Sequence, residues 1–224
     1  MKKILIVCVV LFLAAILSAE TVALLSASKG DVKLERANKA VNFKNGDLLQ
    51  NRDVIRTGPE SFAAYKYIDA SSLIKLFSNS VVTIHAEQAD GQLSKRVNVS
   101  QGSVLSSIKS GTGAFTVQTP TTVASVKGTE FMTRVDEGGN SIFIVTEGEV
   151  ELRVLVTDEM ITVSKGRTAI IDPDHKSQLR DSNEDDISSI ESAELDSSRE
   201  TQKSRLIIPV LDEAGNTKHI EITF

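Results

Sequence analysis

Apolar and polar residues alternate in short runs from Thr21 to Ile171: DVKLER, AAYKYI, SLIKLF, VVTIHA, KRVNVS, FTVQT, TVASV, EFMTRV, SIFIVT, EVELRVLV, MITVS and TAII. Each run is bounded by Gly, Asn, Asp, Ser or Pro, the residues that close strands. No 3.6-period segment long enough for a crossover helix lies between them. The pattern therefore predicts an all-β domain of short, mostly antiparallel strands in a sandwich, roll or solenoid, and argues against a doubly wound parallel sheet. Gly-x-Val opens a run three times, at Gly30, Gly102 and Gly148, and the gaps of 72 and 46 residues mark recurrent turn chemistry without a fixed repeat.

Past Asp172-Pro173 the alternation stops. Residues 181–200 hold eight acids, one arginine and six serines, which reads as a linker or a solvated helix. Asn183 before Glu184, Asp185 and Asp186 is a good helix start, because an Asn cap and first-turn acids satisfy free N–H groups. Only Ile187, Ile190 and Leu195 could anchor such a helix. In the tail, Leu206, Ile208 and Val210 alternate, DEAGNT turns, and Ile220, Ile222 and Phe224 alternate again, the pattern of a hairpin with Pro209 on its edge side. The expected segments are 1–19, an apolar leader; 20–173, the β-domain; 174–204, the acidic linker or helix; and 205–224, the hairpin.

The leader changes the compartment. Lys2 and Lys3 precede an apolar run from Ile4 to Leu17, followed by Ser18-Ala19, which is the pattern of a secretory signal. About 15 such residues span roughly 22 Å as a helix, short of a hydrocarbon core of about 30 Å. Leu17 suits the small-residue cleavage rule poorly, so an uncleaved anchor in the inner membrane stands as the alternative to a released periplasmic or exported chain. The only cysteine, Cys8, lies inside that run in a context unlike a lipoprotein signal, so an exported chain would hold no thiol. Cleavage would remove two of the 25 basic residues and none of the 30 acidic ones, leaving a net charge of −7. That balance disfavours nucleic acid and anionic lipid as partners.

Candidate chemistry is sparse. His85, His175 and His219 show no metal-ligand spacing, and no Gly-x-Ser-x-Gly elbow is present. Glu147 and Glu149 flank Gly148 and could be imagined as a glycosidase pair; at alternate strand positions they read better as one solvent face. A glycan site would use aromatic platforms, yet Trp is absent and only Tyr65 and Tyr67 share a strand face. They are weak ligand candidates, with a core-edge position the other reading. The expectation is a chain with no catalytic residues, no metal and no cofactor.

Between Phe115 and Val135 the parity of the apolar positions changes twice. Phe115, Val117 and Thr119 are odd, Ala124 and Val126 even, Phe131, Thr133 and Val135 odd again. A slip of one residue turns core side chains outward, so each change needs an irregular backbone point. Thr119-Pro120 supplies one, because proline lacks a ladder donor; Gly128 supplies the other, as a corner at positive φ. Lys127 precedes its glycine, the reverse of a phosphate loop. Lys127 and Glu130 are the charges nearest this corner and weak candidates for partner contact.

The segments GDVKLER, NGDLLQNRDVIRTGPESFAAYKYIDASSLIKLFSNSVVTI, VSQGSVLSSI, FTVQTPTTVASVKGTEFMTRV and VTEGEVELRV together resemble the FecR domain, from about Ser28 to Ile171. Phe115, Val117, Thr119, Pro120, Val126, Gly128, Thr129 and Phe131 look like its signature positions, and Gly148 and Val150 like the strand that follows. Ala70 and Arg52 stand where the family commonly has glycine. The resemblance implies a non-catalytic contact module: in FecR-type regulators the domain is periplasmic, receives a signal from an outer-membrane receptor and passes it inward to a sigma factor. Only Met1, Lys2 and Lys3 precede the apolar run, so the chain looks like a stand-alone exported form without the intracellular sigma-regulating domain. The expected role is a protein-interaction, signalling or scaffold module of the bacterial envelope with an envelope protein as partner. A peptidoglycan- or polysaccharide-binding protein is the alternative.

Overall fold

A computed structural model describes residues 20–89, 91–201, 205–211 and 217–223. The leader or anchor expected at 1–19 and residues 212–216 of the expected DEAGNT turn lie outside them. Two β-layers face each other, and the chain shuttles between them. β1 (Thr21–Lys29) lies in the first layer, the hairpin β2 (Val32–Arg36) and β3 (Lys39–Val41) in the second, and β4 (Leu48–Gln50) in the first again. β5 (Val54–Thr57) returns to the second, β6 (Phe62–Tyr67) and β7 (Ser72–Leu76) to the first, and β8 (Val81–Ala89) to the second. The 17-residue β9 (Gln92–Ile108) starts in the second layer beside β8 and ends in the first beside β7. Hairpins then alternate: β10 (Phe115–Gln118) with β11 (Thr122–Val126) in the second layer, and β12 (Glu130–Val135) with β13 (Ser141–Glu147) in the first. β14 (Glu149–Val154) with β15 (Met160–Ser164) follow in the second, and β16 (Arg167–Ile171) with β17 (Ser177–Asp181) in the first.

The first layer runs β4-β1-β6-β7-β9-β12-β13-β16-β17. The second runs β3-β2-β5-β8-β9-β10-β11-β14-β15. Every pairing is antiparallel except β9 with β10, which is parallel. The sandwich reading holds. The shared β9 joins the two layers into one continuous ladder of 17 strands.

Inward side chains from both layers form one core: Val22, Leu25, Tyr65 and Ile74 from the first, Leu34, Ile55, Ile84 and Val97 from the second, all buried. Burying one such side chain stabilises by about 1.5–3 kcal/mol, so alternation decides which face turns inward. The three Gly-x-Val glycines and Gly128 all sit at positive φ where the chain passes from one layer to the other. At Gly128, an added Cβ would lie 1.8 Å from Ser110 Oγ and 2.9 Å from Ser110 Cβ, so the corner has no room for a side chain. Thr119-Pro120 is a different device. Thr119 N–H bonds Thr122 O at 2.9 Å, closing a tight turn between β10 and β11 within one layer. The parity change there comes from the strand reversing, and the chain does not change layer.

Ala70 and Arg52 are left-handed, at φ 53° and 72°. The turns in which the resemblance expects glycine keep their shape with these residues, at roughly 1–2 kcal/mol each.

The β-region reaches further than expected. Residues 177–181, placed in the linker by sequence, form β17 at the edge of the first layer, and the acidic segment is an 18-residue helix, α1 (Glu184–Thr201). Asn183 caps it as expected: Asp186 N–H donates to Asn183 Oδ1 at 2.9 Å, and Asn183 N–H to Asp186 Oδ2 at 3.0 Å. Asp186 is buried and also accepts from Arg180 Nη1 and Nη2 and from Thr168 Oγ1, the last at 3.0 Å. Of the three expected anchors only Ile190 is buried, against Leu105, Met132, Ile142 and Ile144 on the outer face of the first layer; Ile187 and Leu195 are exposed. Ile190, the partly buried Ala193 and the Asp186 carboxylate therefore seat the helix. The tail strands β18 (Arg205–Leu211) and β19 (Thr217–Thr223) pair antiparallel, with Leu206 opposite Ile222 and Ile208 opposite Ile220.

Burial alone would raise the Asp186 pKa, but hydrogen bonds from Arg180, Asn183 and Thr168 outweigh it and hold the carboxyl below its usual value. Stability from a depressed carboxylate is full above the unfolded value of about 4 and lost as pH falls through the folded one. Acid is thus expected to free α1. At neutral pH, Asp186→Ala is expected to cost about 2 kcal/mol and to speed amide exchange in 184–193 while the layers stay protected. Unchanged exchange in α1 would show that Ile190 and Ala193 seat it without the carboxylate.

Candidate functional site

The corner at Lys127-Gly128-Thr129-Glu130 packs against the loop that joins β9 to β10, residues 109–114. Gly111 and Gly113 give that loop two left-handed points. It is held from below by a residue that alternation marks but polarity disguises. Leu93, Lys95, Val97 and Val99 share the inward face of β9, and the Lys95 side chain is 1 % exposed. Lys95 Nζ donates to Thr112 O at 2.7 Å and to Asp69 Oδ2 at 2.5 Å, and Lys95 N–H donates to Ala114 O at 2.9 Å. Burial acts to raise the Asp69 pKa, but the bonds from Lys95 and Ser71 hold it below the usual range. The carboxylate is held in its charged form, and the ion pair ties the loop to the core.

Two grooves flank this loop. The first encloses about 610 Å³ and has Lys109 and Lys127 in its lining together with Glu149 and Glu151 on β14. Thr116, Ser125 and Gln92 add polar groups, and Phe115 and Val126 contribute apolar surface. The second, about 570 Å³, lies on the other side of the corner and is lined by Lys66, Ser107, Lys109, Glu130 and Glu147 among others. Lys127 is exposed in the first groove. Glu130, half-buried in the second, accepts from Ser107 Oγ at 2.9 Å and Thr146 Oγ1 at 3.1 Å.

Other candidates are placed differently from their sequence reading. Tyr65 and Tyr67 offer no platform, because both are buried and Tyr67 packs edge-on against Tyr65 and Phe115. Burial pushes both phenols above the ordinary tyrosine range. Tyr67 Oη donates to His85 O at 3.2 Å. Glu147 and Glu149 do not share a strand face: Gly148 is a layer crossing, so Glu147 ends β13, Glu149 begins β14, and they line different grooves. His85 is half-buried, and burial followed by the charges of Arg96 and Arg52 lowers its pKa.

The signature positions are architectural. Phe115, Val117, Val126 and Phe131 are core residues. Ser141 Oγ donates to Thr119 Oγ1 at 2.8 Å and Thr121 Oγ1 to Ser141 Oγ at 2.7 Å, so the Thr-Pro turn is fastened to β13 by buried hydroxyls. Pro120 stays exposed at its tip. Thr129 Oγ1 donates to Glu149 O at 2.9 Å, locking the Gly128 corner to the Gly148 crossing. Among the described residues, no three His, Cys, Asp or Glu side chains converge as a metal site, and no helix is long and apolar enough to cross a membrane.

Comparison with known proteins gives the same picture. Residues 53–151 match the family model described as FecR protein. Two crystal structures of a candidate anti-sigma factor from Parabacteroides distasonis are similar in fold. The 2.50 Å structure is 12% identical with a TM-score of 0.51, over 61% of this chain and 62% of that one. The 1.65 Å structure is 11% identical with a TM-score of 0.51, over 72% and 70%. The chain thus spans under two thirds of the first of these, and at such identities the likeness is one of fold. No curated protein sequence matches the chain significantly.

Proposed function

We propose, from a chain whose residues 53–151 are a FecR domain, that this protein is an exported, non-catalytic contact module of the cell envelope that receives a segment of another envelope protein. The observation that carries the reading is the groove at the signature corner, where Lys109 and Lys127 meet Glu149 and Glu151. Ammonium and carboxylate groups in one groove suit a peptide segment bearing both signs of charge, and opposed charges give such contacts their specificity. The buried signature hydroxyls, bonded to one another and to backbone, support a scaffold in place of a reactive centre. Export rests on the pattern of residues 1–19.

The reading is tested by incubating the purified chain with cell-wall sacculi and, separately, with solubilised envelope proteins. The chain is expected to stay in the supernatant with sacculi and to retain an envelope protein that the Lys109→Glu/Lys127→Glu variant releases. Co-sedimentation with protease-treated sacculi would replace it with the polysaccharide-binding alternative, from which the burial of Tyr65 and Tyr67 removes the aromatic platform.

A further inference from the structure

The two layers end in four edge strands, and one is unlike the rest. β3 and β4 have three residues each. β17, Ser-Gln-Leu-Arg-Asp, carries Arg180 and Asp181. Natural sheets blunt their edges in these ways, by shortness or by charge. β15, Met160-Ile-Thr-Val-Ser164, is five residues long with no charge, proline or glycine, and among the described residues it pairs only with β14.

Its hydrogen bonds show what is left open. Val154 N–H bonds Glu159 O, and Lys165 N–H bonds Gly148 O, with Leu152 opposite Ile161 and Val150 opposite Val163 between them. Antiparallel ladders alternate, so residues 159, 161, 163 and 165 bond inward to β14. The backbone groups of Met160, Thr162 and Ser164 face away from the sheet.

We infer that β15 is a self-complementary seam through which two copies of this chain pair edge to edge as a two-fold dimer. Antiparallel pairing centred on Thr162 brings Thr162 opposite Thr162 of the second copy and Met160 opposite Ser164, using all the open groups in about six backbone hydrogen bonds. The same register sets Ile161 opposite Val163, and at each end Glu159 opposite Lys165. Apolar pairs are thus flanked by opposite charges, the arrangement that favours a cross-strand register. Met160 is 62 % exposed, and Leu179, on the facing edge of the first layer, is 36 % exposed. Glu159 also accepts from Ser177 Oγ at 2.9 Å, which holds it at the seam. Two-fold pairing is the closed, commonest form of self-association. A five-residue ladder is small for a stable interface, so monomer and dimer are expected to exchange at micromolar concentration.

Sedimentation velocity of the purified full chain over about 1–100 μM tests this. The expected result is a concentration-dependent monomer–dimer equilibrium. Thr162→Pro removes an outward donor without touching the β14 ladder, so it is expected to abolish the dimer and leave the melting temperature within a few degrees. Lys165→Glu sets like charges opposite each other and is expected to weaken dimerisation at least tenfold, with Glu159→Lys/Lys165→Glu restoring it. A monomer at every concentration, a dimer indifferent to Thr162→Pro, or a failure of the charge exchange to restore pairing would each overturn the seam. Thr162→Pro releasing a different protein while self-association is absent would likewise overturn it. None of the substituted side chains lines the Lys109/Lys127 groove, so the dimer and the proposed partner succeed or fail separately.

Discussion

Replacing Gly102 by alanine is expected to destabilise the protein by more than about 4 kcal/mol, a size reserved for few single substitutions. Gly102 is the point at which β9 leaves one layer for the other, at φ 86°. A left-handed non-glycine residue costs roughly 1–2 kcal/mol by itself. The larger part is steric: an alanine Cβ would lie 2.5 Å from Ser80 Cα and 2.7 Å from Asn79 O, backbone atoms that cannot rotate away. Ser80 is buried, and Ser103 N–H donates to its Oγ at 3.0 Å, so the neighbouring crossing is fixed to this one. At about 2–4 °C per kcal/mol for a chain of this size, thermal unfolding should shift down by about 10 °C or more. Gly46→Ala is the control, with φ 93° and nothing within 4 Å of its added Cβ, and should shift by only a few degrees. Equal shifts would show that the crossing gives way easily and that β9 does not join the layers rigidly.

Asp69→Ala should cost about 3 kcal/mol, because removing one partner of a buried ion pair strands the other charge. The carboxylate is 29 % exposed and the ammonium side chain 1 %, so the stranded group is the one without water. Lys95→Met removes the buried charge itself and leaves a half-solvated carboxylate still bonded to Ser71; its cost is expected nearer 1 kcal/mol, from the lost bond to Thr112 O. Melting temperatures of the two variants at neutral pH measure both costs. A Lys95→Met protein as unstable as Asp69→Ala would mean that the loop depends on packing of the lysine stem and not on its charge.

Alternation made most of the strands legible, since period-two burial is a local property of each run. The Gly128 corner was legible for the same reason, through the parity of Phe115, Val126 and Phe131. Parity could not separate a layer crossing from a hairpin turn, because either changes the odd–even phase by one residue; only pairing distances show that Thr119-Pro120 reverses within a layer. β17 was missed because its single apolar residue, Leu179, is exposed and gives no pattern. Lys95 was hidden by treating lysine as solvated, although its place between Leu93 and Val97 is the mark of an inward position. The grooves arise from residues far apart in the chain, Lys109 with Glu151 and Lys66 with Glu147, and no local pattern encodes them. The burial of Tyr65 and Tyr67 depends on which face of β6 turns inward, and AYKYI fits either face.

The groove's role is tested most directly by placing a photo-crosslinking amino acid at position 127 and irradiating living cells that express the full chain. A discrete protein adduct is expected, absent when the probe stands at exposed Lys33 on β2, which does not line the groove. No protein adduct at 127, or the same adducts at 33 and 127, would contradict a corner groove that receives another protein.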